Sequence, residues 1–253
     1  MSKTKLSLFT WAMLPVYAWQ GLRLRQKIER LLPAQVPSTG VLGSKEPGYK
    51  ILAIGDSSVA SVGMERIEHT FAYNLADQVH QTSGRSVKWR MAGCNSATAG
   101  ELRDFVVPHI EERDFTHVIV AVGTNDMKNY HAISTFKKTF GTLLYALRTR
   151  FPDAKIIWSP VADMTKFPAL PKQLAKILAA RATLINDEGR QLCEERGVTY
   201  SEPVPINIVD GFARDGFHAG PAGYRVWGEH LADYVLADEA SNLVKVGDQK
   251  NTA

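Results

Sequence analysis

Cysteine is scarce in this 253-residue chain: Cys94 and Cys193 are the only two, and neither belongs to a C-x-x-C pair. That excludes a disulfide framework. The sequence also lacks H-E-x-x-H, any Cys/His cluster at ligand spacing, and G-x-x-x-x-G-K-[ST]. A zinc hydrolase and a phosphate-binding loop are thereby removed, and no metal site is expected. An excess of one charge is missing from most of the chain. Residues 1–30 hold six basic residues and one acid, whereas the rest holds 24 basic and 25 acidic. Nucleic-acid binding needs a basic stripe on the folded body, so no nucleic-acid partner is expected. There is no internal repeat and no long run of like charge. What remains is 45% hydrophobic and 22% charged residues, enough for one large α/β core and incompatible with disorder.

A long apolar run is also missing. The stretch LSLFTWAMLPVYAW, residues 6–19, carries no charge; it falls short of the roughly 20 residues a spanning helix needs unless stretched through Leu22, and Pro15 interrupts it. Lys3 and Lys5 precede it, and Arg23, Arg25, Lys27 and Arg30 follow. Leu24, Ile28 and Leu31 recur at helical spacing between those basic residues. An amphipathic helix on an anionic membrane surface, through residues 6–32, is the favoured expectation. Basic flanks place it on the cytoplasmic face. A cleaved export signal ending near Val16-Tyr17-Ala18 and simple packing on the body are the alternatives. The organisation read from the chain is an arm at 1–32, a Pro/Gly-rich linker at 33–48, a domain at 49–238 and a polar tail at 239–253.

The body alternates strand and helix. Short apolar or β-branched runs at 49–54, 86–91, 117–122, 154–158 and 198–200 predict five strands. Helical spacing predicts helices from Phe71 to near Gly84 and over 101–112, 133–150, 174–196 and 222–236. This order implies βαβ crossovers and a parallel sheet covered on both faces, with ligands beyond the carboxyl ends of its strands.

Those ends carry chemistry. Gly55-Asp56-Ser57-Ser58 follows the first strand, Gly93-Cys94-Asn95 the second and Gly123-Thr124-Asn125-Asp126 the third. Asp215-Gly216-Phe217-His218 precedes the last helix. Acyl transfer requires a hydroxyl, an imidazole that takes its proton, and a carboxylate that orients the imidazole. It also needs donors for the oxyanion, which the Gly93 N–H and the Asn125 amide can offer. Each piece alone reads as turn or cap chemistry; four in this order do not. An α/β-hydrolase elbow is disfavoured because no Gly stands two places after Ser57. Asp56 and Asp126 are read as turn supports, Cys94 as a packing residue, and Trp158 and Trp227 as core. Phe212 and Phe217 are candidates to shape an acyl pocket.

In these four blocks the chain resembles the SGNH hydrolases, or GDSL-type esterases, over about residues 50–236. The resemblance implies a flavodoxin-like, three-layer α/β/α fold with a parallel five-stranded sheet, and ester hydrolysis without a cofactor. It makes Ser57 the nucleophile, His218 the base and Asp215 its orienting carboxylate. Ser57 N–H, Gly93 N–H and the Asn125 side chain become the oxyanion hole. Many relatives have Pro after the catalytic His; this chain has Ala219 and Gly220, which changes the rigidity of that loop. The expected substrate is a small-molecule or lipid ester. The lack of long insertions favours short to medium acyl chains, and the arm favours membrane lipids. An acyltransferase, a lipase or lysophospholipase-like enzyme, and a non-catalytic binding protein remain the alternatives.

Overall fold

The computed structural model describes residues 2–206 and 210–250, with side chains as far as residue 237. Two helices open the chain, α1 (Lys3–Ala12) and α2 (Leu14–Lys27), and strand β1 (Thr39–Leu42) follows. The body then runs β2 (Tyr49–Gly55), α3 (Phe71–Ser83), β3 (Val87–Gly93), α4 (Ala99–Glu101), β4 (His117–Ala121), α5 (Thr124–Lys128) and α6 (Ile133–Arg150). It closes with β5 (Lys155–Ser159), α7 (Lys172–Arg196), β6 (Thr199–Tyr200) and α8 (Pro221–Lys250).

The strand order is β1-β3-β2-β4-β5-β6. The five expected strands, β2 to β6, run parallel in the flavodoxin-like order. The sixth, β1, pairs antiparallel with β3 at the edge and lies inside the stretch read as linker. Four residues between Pro/Gly-rich segments carry too little periodicity to announce a strand; pairing with β3 creates it.

The strands of the sheet centre are buried on both faces, which explains their near-continuous apolar runs. Leu52 and Ile54 of β2 join Val118, Val120 and Trp158 in a core filled by Phe136 and Phe140 of α6 and Ile185 of α7. Ile51 and Ala53 point the other way, to Phe71, Leu75 and Val79 of α3 and Leu231 of α8. This alternation is the period of two expected of strands.

The predicted helix over 101–112 is replaced. After α4 the chain makes a π turn over Leu102–Val106 and a 3-10 turn over Val107–His109. Pro108 has no N–H to give and its ring collides with the carbonyl four residues back, so an α-helix cannot continue through it.

The arm packs on the body. Tyr17 O–H donates to the Lys128 carbonyl and Tyr130 O–H to the Thr10 carbonyl. The rings of Trp11 and Tyr17 both pack against Tyr130, the first edge-on and the second tilted. Arg214 pairs with Glu29 at 2.9 Å. The helix expected to carry Leu31 ends earlier: α2 stops at Lys27, Ile28 is extended, and Leu31 is buried. No helix among the described residues is long and apolar enough to cross a membrane.

Candidate active site

Parallel register brings the strand ends level: Gly55 lies opposite Gly93 on one side and Ala121 on the other. The turns after β2, β3 and β4 therefore share one rim. Asp56 fixes the first of them. Its Oδ1 accepts the Ser58 N–H at 3.0 Å and the Ser58 hydroxyl at 2.9 Å. Burial pushes the Asp56 carboxyl up, and these two bonds pull against that rise. The role in the turn assigned to Asp56 from sequence is the role it has here. Asp126 likewise ties its loop down, Oδ2 accepting the Ala99 N–H at 3.0 Å.

Gly93 is set by close approach. A Cβ there would lie 2.1 Å from the Ala60 nitrogen and 2.6 Å from the Val59 carbonyl carbon. Only a residue without a side chain lets the turn that carries Ser57 sit on the end of β3. Gly123 meets a different demand. It caps α5 at φ 128°, a conformation that L side chains rarely adopt, and so redirects the chain from β4 into the turn that carries Asn125.

The fourth block comes from a tight hairpin. Phe212 bridges Ala219, and the Ala213 N–H donates to the His218 carbonyl at 2.8 Å. Asp215 and His218 thus occupy one turn. His218 Nδ1–H donates to Asp215 Oδ2 at 2.6 Å, while the N–H groups of Phe217 and His218 donate to Oδ1 at 2.9 and 3.0 Å. Burial alone would raise the Asp215 carboxyl; the three donors outweigh it and hold the group below the ordinary carboxylate range. On the other side of the ring, Ser57 Oγ donates to His218 Nε2 at 3.2 Å. Hydroxyl, imidazole and carboxylate stand in one line.

Asn125 is buried in the same rim, but its amide is already engaged. Nδ2 donates to the Ala97 carbonyl at 3.0 Å and to Asp56 Oδ2 at 3.2 Å. The Ser57 N–H makes no hydrogen bond among the described residues.

Two cavities meet at Ser57 and His218. The inner one, about 100 Å³, is lined by Val161, Met164, Phe167, Phe212, Phe217 and Trp227. Phe212 and Phe217 are where the sequence suggested an acyl pocket. Trp227, read as core, instead presents its indole here, with Nε1–H donating to Ser159 Oγ at 2.9 Å. Its spacing from Tyr224 and Leu231 is that of a core face, so the sequence gives no signal for this. Trp158 is core as expected, buried with its Nε1–H on the Val122 carbonyl.

The outer cleft is far larger, about 880 Å³. The arm forms one wall with Leu24, Arg25 and Ile28; Lys128, Leu174 and Leu178 form the other. Arg181 stiffens that second wall. It is buried, its guanidinium donates to the carbonyls of Met127 and His131, and it lies 3.8 Å over the Tyr130 ring. Sequence reasoning passed over Lys128, although it stands three residues after Asn125 and so on the same helical face.

The family model of the GDSL-like lipase/acylhydrolase family matches residues 53–226. No curated protein sequence matches the chain. Among solved structures, it is similar to a psychrotrophic esterase from Pseudoalteromonas at 14% identity and a TM-score of 0.60, covering 74% of this chain and 96% of that one. A carbohydrate acetylesterase from Sinorhizobium meliloti is similar at 15% identity and a TM-score of 0.53, covering 75% and 99%. A phospholipase A1 from Streptomyces albidoflavus is similar at 14% identity and a TM-score of 0.54, covering 72% and 96%. At these identities the likeness is one of fold.

Proposed function

The chain belongs to the GDSL-like lipase/acylhydrolase family, and from that premise we propose that it hydrolyses carboxylic esters of short acyl groups through an acyl-enzyme on Ser57. The observation that carries this reading is the line Ser57 Oγ, His218, Asp215, with contacts of 3.2 and 2.6 Å. Ser57 Oγ attacks the ester carbonyl while its proton passes to His218 Nε2. Asp215 holds the Nδ1–H tautomer and stabilises the imidazolium. The tetrahedral oxyanion takes the Ser57 and Gly93 N–H groups, and Asn125 joins them by exchanging its 3.2 Å bond to Asp56 for one to the oxyanion. His218 returns the proton to the leaving alcohol, the C–O bond breaks, and the acyl group stays on Ser57. Water, deprotonated by His218, then releases the acid and restores the serine.

The cavities support a division of the substrate. An engineered apolar cavity of about 150 Å³ holds a benzene ring, so the inner cavity of about 100 Å³ suits a few carbons of acyl chain. The alcohol half lies in the outer cleft. Across p-nitrophenyl esters from acetate to laurate, kcat/KM is expected to peak between two and four carbons. It should then fall by about tenfold or more at longer chains, as added methylenes lose their place. A profile that climbs steadily to laurate would reject the inner cavity as the acyl site.

The arm's outer surface supports association with an anionic membrane. Leu8, Phe9, Trp11 and Trp19 are exposed among the basic residues of α1 and α2. Co-sedimentation with phosphatidylserine-containing vesicles is the check. Binding should weaken with salt and drop several-fold on Leu8→Ser with Trp19→Ser. Equal binding by this double variant would remove the arm from any membrane role.

A further inference from the structure

Lys128 is a cation that the ester chemistry leaves without a task. It is half-buried on α5, one turn from Asn125, and lines the outer cleft beside Ser57. Among the described residues its ammonium makes no hydrogen bond and no ion pair. Burial pushes its pKa down, the buried Asp56 carboxylate opposes that, and the Arg25 guanidinium adds to it. Arg25 comes from α2, lines the same cleft and is equally unpaired among the described residues. The acid nearest in sequence, Glu29, is bound to Arg214 at 2.9 Å. Lys128, Arg25 and Arg30 thus line one cleft whose two acids are both engaged, Glu29 with Arg214 and Asp215 with His218, an arrangement that leaves a cationic excess and gains from a bound anion.

We propose that the outer cleft takes esters whose alcohol half carries a phosphate-class anion, gripped between Lys128 of the body and Arg25 of the arm while the scissile carbonyl lies at Ser57. The two cations suit the task differently. Lysine offers a compact charge, and arginine a planar fork that can bond two phosphate oxygens at once. Since Arg25 belongs to the arm, the anion also bridges the two walls. The hydrolytic half of this inference rests on the function proposed above; the anion site does not.

Calorimetry separates the two. The full chain carrying Ser57→Ala, which needs no turnover, is titrated with glycerol 3-phosphate and with glycerol. Saturable binding is expected for the phosphate alone, about tenfold weaker in Lys128→Gln and in Arg25→Gln, and retained in Lys128→Arg. In the wild-type chain, acetylglycerol phosphate should exceed acetylglycerol in kcat/KM by about tenfold, and either Gln variant should bring that ratio towards one. The ratio is diagnostic because a merely structural role would slow both esters alike. Undiminished phosphate binding in both Gln variants, or an equal fall on both esters, would overturn the proposal. Phosphate binding with neither ester hydrolysed would uphold the anion site and reject the hydrolase reading instead. A last comparison, binding of the Ser57→Ala chain to soluble glycerol 3-phosphate against binding to phosphatidate-containing vesicles, identifies the source of the anion.

Discussion

Ser57→Ala is expected to remove ester hydrolysis while leaving the protein folded. Among the described residues the serine side chain makes one hydrogen bond, to His218, and it lies at the surface of a turn held by Asp56 and Ser58. Nothing in the core depends on it. Without the hydroxyl no covalent intermediate can form, and the loss in kcat should be on the order of 10⁵–10⁶-fold, as for serine hydrolases generally. Turnover of p-nitrophenyl acetate, with circular dichroism on the same sample, checks both halves of the expectation. Retained turnover would mean that water or another group attacks the ester directly and that Ser57 is a spectator.

Asp215→Asn carries the second-largest effect, about 10⁴-fold in kcat. Asn is close to Asp in shape, so the turn survives, and its side-chain oxygen can still accept the N–H groups that Oδ1 accepts now. What it cannot do is hold His218 in the Nδ1–H tautomer with a negative charge at 2.6 Å. A loss of under about tenfold would reduce Asp215 to a turn residue. The substitution has a second readout in acid. The Asp215 carboxyl lies below its ordinary range in the fold, so its contribution to stability is complete above the unfolded value of about 3.9. That contribution is lost as pH falls through the lower folded value. Acid unfolding of Asp215→Asn should therefore lack this component, which following the unfolding midpoint between about pH 2 and 5 would reveal.

Much of this site could be read directly from the residues, and the reason is physical. The strands that carry it are buried on both faces, so 49–54, 117–122 and 154–158 are apolar throughout and stand out. Each chemically active residue lies just past such a run or in the turn before α8, where spacing alone locates it. Ser57, Gly93, Asn125, Asp215 and His218 all arrive at one rim. What stayed hidden depends on contacts between distant segments. Strand β1 exists because β3 offers it an edge. The arm is a wall of the cleft because Tyr130, Arg181 and Lys128 give it a place to dock, and none of these sits near it in sequence. The turns over 102–109 follow from a single proline whose effect the helical spacing around it masked. Asn125 was legible as a donor but not as one already sharing its hydrogens with Ala97 and Asp56.

The base and its carboxylate are three residues apart, whereas the nucleophile is 161 residues from the base. Their partnership is local, fixed by one turn and its own amides, and it can persist while distant parts of the chain separate. The contact between Ser57 and His218 has no such protection: it closes the longest circuit in the site, from the first parallel strand to the approach to the last helix. Enzymatic activity is therefore a gauge of whether the two ends of the domain are docked, and denaturant should silence it before the acid–base pair itself comes apart.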